Sequence, residues 1–342
     1  MNKLKIIMRA DGDSSIGLGH IMRLRSLAIY LNNLAEIIFV TKCNNLPVIN
    51  SLLAENIIVI SLESDISIQK EIDLLINLNP DCVILDGYEF VTYYQNVLKK
   101  NKLKIISIDD DFNSHYESDI VINHAPDVNP GKYSKEDYTK LLLGLDYLII
   151  NPVFLNCDVK NKIPLSISIN FGGADSGNLT LKYLKYLIES DVFKKINVIT
   201  GSANVHSDSI NEFIANMNSG IEINHFHSIS QTELAEIFCK SEFVLCPSSS
   251  VAYESLASKC IVISGISADN QINIYKGLSD LNLIIKCGDF NSIPENEFKS
   301  IVKNSILNSE FKNQILDNIL SKFTVNPVQN YRKLISEFLG IN

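Results

Sequence analysis

One histidine in this chain stands where a proton could be moved. His20 lies in the stretch Arg9-Ala10-Asp11-Gly12-Asp13-Ser14-Ser15-Ile16-Gly17-Leu18-Gly19-His20-Ile21-Met22-Arg23, between an apolar run and an amphipathic pattern. Gly17 and Gly19 would let the backbone approach a ligand, and the helix start behind them would offer unpaired N–H groups to an anion. The positive end of a helix disfavours imidazolium, so the spacing predicts a neutral His20 able to accept a proton. Asp11 lies across the same loop and could orient it. Two plainer readings compete: a dinucleotide fingerprint, and a tight turn capped by the histidine. Against the first, Met22 holds the third glycine position and the second strand ends at Thr41 without an acidic residue.

Two further loops could cradle phosphate. Phe171-Gly172-Gly173-Ala174-Asp175-Ser176-Gly177-Asn178-Leu179-Thr180 joins a strand to a helix start through a glycine pair; the plain alternative is a glycine turn with Asn178 as N-cap. Cys246-Pro247-Ser248-Ser249-Ser250-Val251-Ala252-Tyr253-Glu254 is again strand, small polar loop and helix start. Ser248, Ser249 and Ser250 could hold a diphosphate without a metal, and Glu254, four residues past Ser250 on the same helix face, could accept both hydroxyls of a ribose. A serine cap followed by a solvated glutamate is the plain alternative.

Weaker signals remain. Tyr88, in Leu85-Asp86-Gly87-Tyr88, ends a strand and could touch substrate or simply pack half-buried. Asp109-Asp110-Asp111 could suggest a metal, but consecutive carboxylates at a strand end more often cap a loop, and no metal site is expected. His225 and His227 share a strand face with no third ligand in view, and His115, His124 and His206 fall in polar loops.

The elements that must position these residues alternate. Lys5–Arg9, Ile37–Thr41, Ile57–Ser61, Cys82–Asp86 and Lys104–Asp109 read as strands, with helices at His20–Leu34, Leu46–Ala54, Ile66–Leu78 and Val91–Lys100 between them. Short extra strands follow at Asp119–Asn123, Lys140–Leu143 and Tyr147–Asn151, then a polar linker at Cys157–Pro164. A second series has strands at Leu165–Phe171, Ile196–Gly201, Gly220–Ile223, Phe243–Cys246, Ile261–Ser264 and Asn282–Lys286. Its helices are Leu179–Glu189, Gln231–Cys239, Val251–Lys259 and Gln271–Asp280, and Lys312–Lys322 and Val328–Leu339 end the chain. The order predicts α/β architecture: two Rossmann-like domains, 1–156 and 164–325, with residues 326–342 as a terminal helix packing back on the first, and a ligand cleft between the domains.

Composition narrows the partners. The net charge of -9 argues against non-specific nucleic-acid binding, which needs a basic surface. The N-terminus is too short and charged for a signal peptide, and no run approaches the ~18 apolar residues of a span, so no stable membrane association is expected. Seven cysteines, scattered singly and odd in number, read as reduced thiols of a cytoplasmic protein.

The pattern Arg-x-Asp-x-x-x-x-Ile-Gly-x-Gly-His-x-x-Arg resembles the UDP-sugar hydrolases of pseudaminic acid biosynthesis, which release UDP from UDP-2,4-diacetamido-2,4,6-trideoxy-β-L-altropyranose. They are similar in fold to GT-B glycosyltransferases. The resemblance runs from Arg9 to about Gly288. It implies a catalytic role for His20 and a place near substrate for Asp11, Tyr88 and Arg9, and it matches the Gly-Gly-x-Asp-x-x-Asn-Leu-Thr run containing Gly172, Gly173 and Asp175. It also carries the ribose role to Glu254 and a sugar- or pyrophosphate-facing role to Asn270 and Gln271. UDP-sugar and UDP are then the partners, with no cofactor. Two departures stand out: Lys259-Cys260-Ile261 replaces a Gly-x-Pro, and Asn151-Pro152-Val153-Phe154 replaces Arg-Pro-Glu-Phe. Two other readings stay open: a GT-B glycosyltransferase passing the sugar to an acceptor, and a non-catalytic nucleotide-sugar sensor.

Overall fold

The computed structural model describes residues 4–12, 17–217, 220–324 and 326–341. The chain divides into two compact units, Met1–Pro152 with Val325–Asn342, and Val153–Thr324.

In the first unit, β1 (Leu4–Ala10), α1 (Gly19–Leu31), β2 (Ala35–Thr41), α2 (Leu46–Ala54), β3 (Ile58–Ser61), α3 (Ile68–Asn77), β4 (Cys82–Asp86), α4 (Thr92–Lys100) and β5 (Ile105–Ile108) alternate strictly. β6 (His115–Tyr116) and β8 (Ser134–Lys135) pair separately, while β7 (Ile120–Asn123) and β9 (Lys140–Leu143) extend the main sheet. Its order is β3-β2-β1-β4-β5-β7-β9, all parallel. The strands are runs of Ile, Val and Leu because a parallel sheet is covered on both faces.

Alternation decides which residues meet which helices. Ile6, Met8 and Ala10 of β1, with Cys82 and Ile84 of β4, join the core that includes Leu24, Leu27 and Ala28 of α1. Ile7, Val83 and Leu85 join the opposite core with Ile72 of α3 and Leu98 of α4. Arg9 therefore faces α3 and α4, whereas Asp86, paired in register with Ala10, faces α1.

The second unit repeats the scheme with β10 (Ile163–Asn170), α5 (Leu179–Glu189), β11 (Lys195–Thr200), α6 (Ser207–Ala215), β12 (Glu222–His227), α7 (Gln231–Lys240), β13 (Ser241–Pro247), α8 (Ser250–Ala257), β14 (Ile261–Ile266), α9 (Ile272–Asp280), β15 (Ile284–Asp289), α10 (Glu295–Leu307) and α11 (Ser309–Lys322). Its sheet, also parallel, runs β12-β11-β10-β13-β14-β15. The last helix, α12 (Pro327–Leu339), belongs to the first unit. There Tyr331 donates to the Tyr147 carbonyl at 2.7 Å, and Arg332 donates to the Tyr30 carbonyl at 2.7 Å.

Several expectations are corrected. Tyr147–Asn151 is not a strand: Leu145–Tyr147 is a 3-10 turn, and Leu148, Ile149 and Ile150 are buried without pairing, so their apolar run reflects packing rather than a ladder. Helix α10 adds to the expected elements, and β12 runs through His225 to His227. Residues 157–164, read as a linker, lie inside the second unit. Cys157 is not a free thiol; it is bonded to Cys239, with Cα atoms 4.9 Å apart. The neighbouring Phe154 packs on Phe238, ring centroids 6.2 Å apart, which brings the two segments together. The other five cysteines are free and buried. Among the described residues, no helix is long and apolar enough to cross a membrane.

Candidate active site

In both sheets the strand order reverses beside the first strand, between β1 and β4 and again between β10 and β13. At such a reversal the connections leave to opposite faces, opening a crevice beyond the carboxyl ends of the two strands. All three loops singled out in the sequence emerge there: 11–18 after β1, 171–178 after β10, and 248–249 after β13. Residues 13–16 of the first loop lie outside the described residues.

His20 occupies the first turn of α1, which opens with no capping side chain and no acidic residue. The residue is buried, its side chain 10% exposed, and its Nδ1 lies 2.7 Å from Asp86 Oδ1. A carboxylate can only accept, so Nδ1 carries the proton and the neutral ring has its lone pair on Nε2. Arg23, one turn on, clamps the same carboxylate through Nε at 2.7 Å and Nη2 at 2.6 Å, and reaches Asp110 through Nη1 at 3.2 Å.

Burial alone would lower the His20 pKa, but the hydrogen bond and charge of Asp86 outweigh it and raise the pKa above the usual imidazole value; the Arg23 charge opposes that rise. This corrects the expectation that the helix terminus would hold His20 neutral. A full charge at 2.7 Å outweighs the half-charge of a helix end. The buried Asp86 carboxyl is held low by Arg23 and His20 despite its desolvation.

Asp11 and Arg9 have other roles. Arg9 is fully buried; its Nε donates to Glu71 at 2.8 Å, and its Nη2 donates to Asp11 at 2.7 Å. Its guanidinium also lies 5.1 Å from the Phe90 ring centroid. Asp11 accepts from the Lys42 amide at 2.6 Å. Both residues follow the face of β1 turned away from α1, so Arg9 does not present its donors to a ligand and Asp11 does not orient His20. The orienting carboxylate is Asp86, which the sequence displays beside Tyr88 but does not single out.

Tyr88 does sit beside His20, edge to face, ring centroids 5.0 Å apart. It is 51% exposed. Burial, then the charge of Asp110, keeps that phenol protonated. His20, Arg23 and Tyr88 line a pocket with Asp109, Asp110 and Asp111. The aspartates are engaged internally: Asp109 accepts from the hydroxyls of Tyr116 and Tyr133, and Asp111 from the Asn113 amide at 3.1 Å. Among the described residues, no group of histidine, cysteine and carboxylate side chains has the arrangement of a metal site. His225 and His227 instead share the Thr200 hydroxyl, at 2.9 and 3.0 Å.

In the second unit, Gly172 takes a φ of +85°, which favours glycine. A Cβ on Gly201 would lie 2.5 Å from the Gly173 Cα, so the end of β11 packs directly on the glycine loop. Asp175 caps α5, accepting from the amides of Leu179 and Thr180 at 2.8 and 2.9 Å. Asn178, considered as the cap, makes no such bond. The start of α5 is thus neutralised by the chain's own carboxylate, and Asp175 is a structural residue rather than a ligand contact.

The start of α8 is open: Ser249 precedes it without a side-chain cap, and no acidic residue stands in its first turn. Ser250 is exposed there, while Ser248 is fully buried and bonds Ser264 at 2.8 Å, so its hydroxyl supports the loop from beneath. The Glu254 side chain makes no hydrogen bond among the described residues, and burial pushes its carboxyl up to about 8. Gln271 accepts from the Ser267 amide at 2.7 Å, holding the loop after β14, and Asn270 is exposed.

No protein-family model matches the chain. An uncharacterized protein of Methanocaldococcus jannaschii is 29% identical over 265 residues, 74% of this chain and 54% of that protein. The chain spans about half the length of this curated relative. Among solved structures, MurG of Acinetobacter baumannii superposes with a TM-score of 0.70 at 12% identity, covering 98% of this chain and 100% of that one. A UDP-glucosyltransferase of Polygonum tinctorium gives 0.67 at 10% identity over 99% of both chains. HepE of Anabaena, in complex with UDP and glucose, gives 0.63 at 10% identity, over 98% of this chain and 99% of that one. At such identities the likeness is one of fold: two parallel α/β sheets, as in the GT-B fold, over essentially the whole chain.

Proposed function

We propose that the chain is a UDP-sugar enzyme that breaks the bond between the anomeric carbon and the diphosphate, with His20 as general base. The observation that carries this reading is the Asp86–His20 pair, 2.7 Å apart, which leaves Nε2 free to take a proton. The attacking oxygen bonds to the anomeric carbon and gives its proton to Nε2. The carbon–oxygen bond to the diphosphate breaks, and its electron pair leaves with UDP. Asp86 stabilises the imidazolium that forms, and Arg23 fixes Asp86. The open start of α8, the Ser250 hydroxyl and the Gly173 backbone hold the diphosphate, and Glu254 accepts from the ribose hydroxyls. These donors meet the leaving charge without a metal. Asn270 and Gln271 stand next to the diphosphate in this assignment.

Two nucleophiles fit. The solved structures favour the hydroxyl of an acceptor, since one that matches along its whole length is a UDP-glucosyltransferase. The first loop favours water, through its resemblance to UDP-sugar hydrolases of pseudaminic acid biosynthesis; the sugar would then be the diacetamido-trideoxy altrose. The chemistry at His20 is the same for both. The deciding experiment follows UDP release from a panel of UDP-sugars, including that one, with and without candidate acceptors. Release without acceptor establishes hydrolysis, and release only with acceptor establishes transfer. Absence of both turnover and UDP binding would reject the proposal.

A further inference from the structure

The pocket beside His20 has a distinct charge. Asp109, Asp110 and Asp111 line it, and its one guanidinium, Arg23, is already bonded to Asp86 and Asp110. Arg23 therefore has its positive charge matched before any ligand arrives. Tyr88 lines it too, its phenol kept protonated by burial and by the charge of Asp110. Asp109 also accepts from the Asp111 amide at 3.2 Å, and burial together with the neighbouring Asp109 carboxylate raises the Asp111 carboxyl above its usual range. A second observation marks the pocket as a binding place rather than a mere acidic cluster. His20 lines it, its side chain is nine-tenths buried, and Nε2 has no partner among the described residues.

We propose that this pocket receives the non-nucleotide half of the substrate, and that it selects a group bearing hydrogen-bond donors (hydroxyl, amide N–H or ammonium) against one bearing a carboxylate or phosphate. The identity of that half as a sugar or acceptor rests on the function proposed above; the charge selection rests on the pocket itself. An anion placed here would meet three carboxylates, offset by no cation but a protonated His20, so like charges oppose its binding once His20 is neutral. The same wall would keep the diphosphate from binding in reverse beside His20.

The test reads the His20 ring signal by NMR, identified by its loss in His20→Asn, at fixed pH and ionic strength. D-Glucosamine and N-acetylglucosamine should move the signal saturably. D-Glucuronate and inorganic phosphate should need at least about tenfold higher concentration, and Asp111→Asn should narrow that gap. Equal response to glucuronate and glucosamine, or no response to any sugar, would overturn the inference. UDP binding, measured separately by calorimetry, tests the proposed function. UDP binding without a sugar response sinks the charge selection alone, and a sugar response without UDP binding supports it while rejecting the UDP-sugar reading.

Discussion

Asp86→Asn isolates the pair on which the proposed chemistry turns. The substitution keeps the shape and an oxygen that can accept from His20 Nδ1, but removes the charge. Two unit charges 2.7 Å apart attract by about 6 kcal/mol at an effective dielectric of ~20, before desolvation is subtracted. A helix terminus contributes only about 0.3–2 kcal/mol in the opposite sense. With Asp86 present, His20 stays protonated to a pH above the free imidazole value, so activity should fall as pH drops through that raised pKa. Without the charge, burial becomes the main influence on His20, with Arg23 acting in the same direction, and both lower its pKa. The acid limb of the rate profile should therefore move from above about 6.5 to below it. The plateau should meanwhile drop on the order of 10²–10⁴-fold, because the imidazolium formed in the transition state loses its counter-charge. The assay is UDP release from the substrate found in the panel, at pH 5 to 9, with thermal melting as the folding control. An acid limb that stays in place and a plateau equal to the parent's, in a folded protein, would refute the role given to Asp86.

Three further outcomes follow from the geometry. His20→Asn should cut turnover by about 10²–10⁴-fold while leaving UDP affinity unchanged. Because folding raises the His20 pKa, its contribution to stability is present below about pH 6.5 and lost as pH rises through the folded value, so the melting difference from the parent should be larger at pH 5 than at pH 9. Glu254→Ala should weaken UDP binding by roughly 1–3 kcal/mol by calorimetry; unchanged affinity would remove Glu254 from the ribose. Arg9→Ala should destabilise the fold by about 3–5 kcal/mol in chemical denaturation, because Glu71 and Asp11 would be left without their counter-charge; normal stability with lost binding would instead return Arg9 to the ligand site.

The sequence by itself determined the elements and the loops. Runs such as Ile6-Ile7-Met8 and Val83-Ile84-Leu85 can only be covered strands, and the glycine and serine loops after β1, β10 and β13 are legible because they interrupt a strand-to-helix step. His20 and Tyr88 could be picked out for the same reason, and the structure brings them together across 68 positions of sequence because β1 pairs with β4. What the tertiary structure decided is which polar groups share a face. Ala10 pairs with Asp86, so Asp86 turns toward α1 and His20, while Arg9 turns to α3 and is lost to the ligand site. Local spacing could not show this, because Asp11 is nine residues from His20 in the chain and Asp86 is far away, yet alternation along β1 puts Asp11 on Arg9 and register with β4 puts Asp86 on His20. The same holds for Asp175, whose carboxylate turns back to fill the start of α5, and for Cys157, which meets Cys239 where Phe154 packs on Phe238. The residue types prescribe what chemistry is possible at each loop, and strand order and side-chain alternation determine which of those residues can act together.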